Sequence, residues 1–231
     1  MMPGIRQLTH EEPTMADVTV HTVPGSPFAR AVFATLEEKG VPWRLVPLHP
    51  AQLRQQPHLA RNPFGRMPAF EHGDFQLYET QAIVRYIDRV WPEPALTPAD
   101  PRAAARMDQA MNINDWYLFQ GCANVIAFQR VVGPRVLGLQ PDEAVIRDAM
   151  PHAHGVFAEL ARLLADQPYF AGDHVSLAEM MLVPQMDLLA QSPEWTPLTQ
   201  GRANLLAWFH RAQARPSFQA TTWERVAAAA A

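Results

Sequence analysis

The stretch Arg61–Asp88, RNPFGRMPAFEHGDFQLYETQAIVRYID, restricts the fold more than any other part of the chain. Asn62-Pro63-Phe64-Gly65 is turn chemistry, with Pro63 fixing φ and Gly65 free to take a positive one. Met67-Pro68-Ala69-Phe70 is a short apolar strand, and a proline there belongs at an edge or in a special backbone geometry. His72-Gly73 is expected to be a two-residue hairpin loop leading into the alternating strand Phe75-Gln76-Leu77-Tyr78. Thr80 is the expected cap of a helix whose apolar residues Ile83, Val84 and Ile87 recur at helical spacing. Each feature alone has an ordinary structural explanation. Their order narrows the choice.

The preceding segment supplies the rest of the layer. Val18-Thr19-Val20-His21-Thr22-Val23 is a β-branched run and the best first strand. Pro24-Gly25 turns the chain, Ser26 is a natural N-cap and Pro27 a natural first helical residue. Phe28, Ala31, Val32 and Leu36 give that helix an apolar face, and Gly40 ends it. The next strand is Trp43–Leu48, and Gln52–Arg61 is a loop with a short helix. The order is β-α-β-α-β-β-α.

Taken in this order and spacing, NPFGRMPAF, the GD-x-x-L pattern of the hairpin and YETQAIVRYI resemble the glutathione-binding half of the glutathione S-transferases. The resemblance implies a thioredoxin-like N-terminal domain followed by an all-helical C-terminal domain. It implies a cis peptide before Pro68 that presents the backbone of Met67 to the glutathione peptide, and a γ-glutamyl site at Glu79 and Thr80. The physics suits those roles, because a helix N-terminus with free N–H groups is a ready carboxylate site and a glutamate neutralises an ammonium. The spacing from Ser26 to Gly40 is similar to that of the serine-type members, the plant phi class and related bacterial enzymes. There the serine hydroxyl donates a hydrogen bond to the thiol sulfur. A free thiol has a pKa of about 8.5, and a helix N-terminus together with a hydroxyl donor favours its thiolate. The same serine is also a plain N-cap, and the two roles are compatible.

Position 26 separates subclasses. Cysteine-type relatives carry Cys-Pro-[Phe/Tyr]-Ala where Ser26-Pro27-Phe28-Ala29 stands, and serine cannot form a mixed disulfide, which disfavours thiol transfer and dehydroascorbate reduction. Tyrosine-type relatives use a tyrosine on the first strand, and none occurs between Val18 and Ser26. Departures from the phi pattern are Arg66, where glutamine is common, and Leu53-Arg54, where a His-Lys pair is common. Arg54 and Arg66 are both candidates for the glycyl carboxylate, since a guanidinium binds a carboxylate in bidentate fashion.

Four prolines within Trp91–Pro101 deny both helix and ladder bonds, so a linker is expected at 91–101, between a glutathione-binding domain at 18–90 and a helical domain at 102–226. Pro101–Val132 reads as one long helix packed on several neighbours. Asn112, Asp115, Trp116, Phe119 and Gln120 on it are candidates for the electrophile cleft, and Cys122 reads as a small buried residue. A second helix is expected at Asp142–Asp166 with Val145, Ile146, Met150, Phe157, Leu160 and Leu164 buried. Ser176 and Glu179 form a capping box, with Val175 and Met180 as a hydrophobic staple. The box is a folding signal, and Glu179 is no catalytic acid. Leu205–Thr222 holds the last helices, with Ala227–Ala231 fraying.

With 19 basic and 23 acidic side chains the formal charge is -4 and no basic stripe occurs, which argues against a nucleic-acid partner. One cysteine excludes an internal disulfide framework, and the histidines form no zinc signature. No apolar run reaches membrane-spanning length. Met1–Asp17 lacks the apolar core of a signal peptide and is expected to be a flexible extension, with Met15 an alternative start. The resemblance implies a cytoplasmic, homodimeric enzyme of detoxification type, with glutathione as co-substrate, no metal, and a small hydrophobic electrophile as second substrate. A non-catalytic glutathione or hydrophobic-ligand binder, or a glutathione-dependent peroxidase, isomerase or dehalogenase, is the alternative on the same fold.

Overall fold

The computed structural model describes residues 17–230. The expected flexible extension and the alternative start therefore lie outside the described residues, apart from Asp17, whose carbonyl accepts the Gly73 N–H at 3.1 Å.

The N-terminal half is a thioredoxin-like domain. Strand β1 (Val18–Thr22) is followed by α1 (Pro27–Glu38), β2 (Arg44–Pro47), a tight helical turn at Pro50–Arg54 and α2 (His58–Arg61). Then come β3 (Ala69–His72), β4 (Phe75–Tyr78) and α3 (Thr80–Val90). The sheet order is β2-β1-β3-β4, with β1 parallel to β2 and the other pairs antiparallel. All five residues of β1 are buried, as its paired position between β2 and β3 requires.

Two local expectations are corrected. The hairpin loop is Gly73-Asp74, one residue later than His72-Gly73, because His72 pairs with Phe75 and the positive φ of 60° falls on Gly73. Thr80 is not the cap of α3. Glu79 occupies that position with φ 70° and ψ 112°, and no side chain caps the helix.

The remaining chain is helical. After α3, the chain runs through Pro94 and Leu96 to α4 (Pro101–Ile113), capped by Asp100, whose carboxylate accepts the Ala103 N–H at 2.8 Å. The single helix expected over Pro101–Val132 is not continuous. A loosely wound helix, Asn114–Leu137, follows α4 and is broken at Gln120 (ψ 122°) and Gly121 (φ 77°). The break is filled from outside, since His152 Nε2 lies 3.0 Å from the Tyr117 carbonyl and 3.2 Å from that of Gln120. Next come α5 (Glu143–Leu164), α6 (Leu177–Leu189), α7 (Trp195–Thr199), α8 (Ala203–Gln213), α9 (Pro216–Ala220) and α10 (Trp223–Ala229). Val145 is 40% exposed and does not belong to the buried stripe of α5. Helix α10 was not expected, and it continues to Ala229 where fraying was expected from Ala227.

The Ser176–Glu179 box forms as expected and extends further. Glu179, 0% exposed, accepts from Ser176 N and Phe170 N at 2.8 Å each, and from Trp208 Nε1 at 3.1 Å. Burial pushes its carboxyl up, and four hydrogen bonds, including that from Ser176 Oγ at 2.8 Å, hold it back. Cys122 is likewise buried, with its thiol pushed up to about 12 by burial.

Buried charge also pins the connection between the halves. The Lys39 ammonium, 0% exposed, lies 2.6 Å from Asp88 Oδ1 and 2.6 Å from the Pro94 carbonyl. Asp88 also accepts from Leu96 N at 2.9 Å and Thr97 Oγ1 at 2.6 Å. Burial raises the Asp88 carboxyl, but these bonds outweigh it and hold it below its ordinary value. Replacing Asp88 by alanine strands a buried ammonium, so Asp88→Ala is expected to cost about 3 kcal/mol in urea unfolding at neutral pH. Because the folded pKa is depressed, this contribution is complete above the unfolded value of about 4 and disappears as the pH falls through the folded one. The stability gap between wild type and variant should therefore narrow below about pH 4 in acid-range melts.

Candidate active site

The N-terminus of α1, the Arg66–Pro68 loop and the start of α3 face the loosely wound helix across a cleft between the two halves. Two compartments make up this cleft. One, of about 210 Å³, is lined by Asn62, Glu79, Thr80 and Asp115, and the other, of about 470 Å³, by Ser26, Leu53, Phe128, Val132 and Trp223. Phe28, Arg66, Met67 and Phe119 line both. Phe28 and Phe119 meet edge to face at 4.8 Å, so an aromatic pair from the two halves stands where the compartments join.

Local chemistry explains the positions. The Ser26 hydroxyl is at the head of α1 because it caps it, its Oγ accepting the Ala29 N–H at 3.3 Å. The Met67-Pro68 peptide is cis, and the Met67 sulfur accepts the Val23 N–H at 3.3 Å, tying this loop to the end of β1. His58 Nε2, buried on α2, lies 2.8 Å from the Arg66 carbonyl and holds the loop from below. Gly65 takes φ 60°, and a Cβ there would stand 2.8 Å from the Leu53 carbonyl, so only glycine fits.

The polar compartment holds two carboxyls. Glu79 sits in backbone geometry that non-glycine residues rarely adopt. The first N–H groups of α3 are left without a side-chain cap. Asp115 accepts from Gln81 Nε2 at 2.7 Å and Asn114 Nδ2 at 2.9 Å. Burial nevertheless raises its carboxyl above the ordinary value.

Of the residues singled out from sequence, Arg66, Met67, Pro68, Glu79 and Thr80 share the polar compartment, while Ser26 opens on the apolar one. Arg54 lines neither; its side chain packs against Gly65 instead. Asp115, Trp116, Phe119 and Gln120 also line the polar compartment, whereas Asn112 turns back to the Asp108 carbonyl at 2.9 Å. Trp223 was missed. Its indole covers Gly25, where a Cβ would lie 2.4 Å from the ring, and Arg135 stacks on it at 4.1 Å. Thr222 followed by an acidic first turn was the available signal, since Thr222 caps α10 by accepting the Arg225 N–H at 3.4 Å.

Comparison with known proteins agrees with this architecture. Residues 20–95 match the family model for the glutathione S-transferase N-terminal domain, and residues 143–211 the model for its C-terminal domain. A probable glutathione S-transferase, GSTF2, of Oryza sativa subsp. japonica is 31% identical over 80% of this chain and 86% of its own. The crystal structure of glutathione transferase F7 from Populus trichocarpa superposes with a TM-score of 0.80 at 27% identity, over 93% of this chain and 99% of that one. A glutathione S-transferase I solved with lactoylglutathione bound matches with a TM-score of 0.79 at 27% identity, over 92% of this chain and 99% of that one. The chain belongs to the glutathione S-transferase family.

Gly65→Ala tests the loop geometry. The Cβ meets backbone at a positive φ, so the variant is expected to lose about 1–3 kcal/mol of stability. Because Arg66 and Met67 line both compartments, the glutathione KM should rise more than kcat falls in steady-state assays.

Proposed function

We propose that this transferase binds glutathione in the polar compartment and uses the Ser26 hydroxyl to stabilise its thiolate for attack on a small hydrophobic electrophile held in the apolar compartment. The observation that carries the reading is the pairing itself: a polar and an apolar space share one wall, with the capping hydroxyl of α1 beside it.

In this reading the γ-glutamyl carboxylate takes the uncapped N–H groups of α3, with Thr80 beside them. Its ammonium lies between Glu79 and Asp115, which moves Asp115 from the electrophile to the glutathione side. The Met67 backbone, turned by Pro68, receives the cysteinyl peptide. Arg66, rather than Arg54, pairs with the glycyl carboxylate, because it alone of the two lines the cleft. Ser26 remains protonated and donates to sulfur, lowering the thiol pKa; it is neither nucleophile nor base. The protein thus contributes activation and proximity rather than acid–base chemistry by a side chain. The aromatic and aliphatic lining of the larger compartment, Phe28, Phe119, Phe128, Val132 and Trp223, suits an apolar electrophile.

The working unit is taken to be a cytoplasmic homodimer, as the family implies, with residues 18–90 binding glutathione and 102–226 shaping the second site. Among the described residues no helix is long and apolar enough to cross a membrane.

Ser26→Ala should lower kcat about 100-fold, the range for removing one donor from an anionic centre, with the glutathione KM within about threefold of wild type. An unchanged kcat would remove Ser26 from the chemistry. Glu79→Ala should instead raise the glutathione KM or Kd about tenfold or more, as expected for losing a charge-assisted contact. A panel of an aryl halide, an organic hydroperoxide and a haloalkane separates conjugation from peroxidase and dehalogenase turnover, all of which need the same thiolate. Glutathione binding without turnover of any of them would favour a carrier.

A further inference from the structure

One helical turn beyond Ser26, α1 carries a buried cation. Arg30 is 8% exposed. Its Nη1 donates to Asp187 on α6, and its Nη2 donates to the Phe218 carbonyl at 3.2 Å. The third nitrogen, Nε, is buried without an acceptor among the described residues. Ser26 and Arg30 line one small cavity of about 30 Å³, together with Asp187, Thr221 and Glu224. A polar cavity needs only about 10–15 Å³ to hold a water, and that water needs two to four partners. This one offers a free N–H, a hydroxyl and carboxylates.

We propose that a single buried water joins Arg30 Nε to Ser26 Oγ, and that Arg30 is the positioning residue that commits the serine hydroxyl to donating toward the substrate sulfur. The proposal deepens the reading of Ser26 given above and rests on it. A hydroxyl has one hydrogen and two lone pairs. The Ala29 N–H takes one lone pair at 3.3 Å. The water accepts from Arg30 Nε, so both its hydrogens are available: one for the second lone pair of Ser26, the other for the carboxylate of Asp187 or Glu224. With both lone pairs filled, the only bond left to Ser26 is as donor, outward into the cleft. Without the water the hydroxyl is free to turn inward and act merely as a cap.

The surrounding charges fit this arrangement. Asp187 pairs with Arg30 and also accepts from Gln213 Nε2 at 2.5 Å. Glu224 pairs with Arg135 at 3.0 Å. Each carboxylate near the cavity therefore has its own cation, and the water is oriented by Nε rather than captured by an unpaired acid.

Two arms test the proposal. A crystal structure of the full chain at a resolution that shows waters should place one within about 3 Å of both Arg30 Nε and Ser26 Oγ. A dry cavity, or a water bonded to only one of the two, overturns it. The second arm is Arg30→Lys, which keeps the charge opposite Asp187 and removes Nε. Thiolate absorbance against pH should show the thiol pKa of bound glutathione raised by about one unit over wild type, with glutathione affinity within about threefold. An unchanged thiol pKa in Arg30→Lys also overturns it. Failure of the wild-type protein to bind glutathione would overturn the reading of the site instead, and the crystallographic arm would still decide the water.

Discussion

Helix α1 has to be buried on every side, and the rest of the molecule is arranged to allow it. Residues Ala29 through Leu36 are buried without interruption, Arg30 among them. On one side α1 packs on α3, and on the other it meets α6 and α9. Helix α6 matches it, with only Asp187 of its residues less than buried. Ala29, Ala31 and Ala34 let backbones approach, while Val32, Phe33 and Leu36 supply the apolar area that holds them together. A helix enclosed in this way cannot shift along its axis without opening voids or clashes. Its first residues, and Ser26 with them, are therefore fixed relative to both halves of the cleft.

Charge completes what apolar packing begins. Three ion pairs are built from residues of α1 and its cap: Arg30 with Asp187, Glu38 with Arg215, and Lys39 with Asp88. Two of them cross to the helical half and the third fastens the connection to it. Burial pushes the Glu38 carboxyl up, but Arg215 and the Ser217 hydroxyl, at 2.7 and 2.6 Å, outweigh this and hold it below its ordinary value. Pairs of this kind add little net stability over apolar packing, yet breaking one leaves an uncompensated charge. That asymmetry disfavours alternative docking of the halves, and the width of the cleft follows from the docking.

The framework around the candidate cleft was legible in the sequence where it is set locally. The turn at Asn62–Gly65, the cap at Ser26 and the box at Ser176–Glu179 are each specified by neighbouring residues, so spacing alone exposed them, whereas the strand expected at Met67–Phe70 begins only at Ala69 and runs to His72. Features set by tertiary contact were not visible. Glu79 takes the cap position of α3 in rare backbone geometry that no local propensity favours. Gly121 breaks the long helix because His152, far away in sequence, bonds the carbonyls that the break frees. Arg54 and Arg66 were equivalent as sequence, and only the packing of Arg54 on Gly65 separates them. Trp223 reaches the cleft by the folding back of the chain end, which periodicity does not encode.

In the proposed function, binding at this site converts the thiol of glutathione into a thiolate. Calorimetric titration of glutathione into the wild-type protein near pH 7, repeated in buffers of different ionisation enthalpy, counts the protons released on binding. Since the free thiol titrates at about 8.5, a lowered pKa in the complex predicts saturable binding with release of up to one proton per glutathione bound. Saturable binding with no proton released would mean that the site holds glutathione without activating it, and would contradict the account.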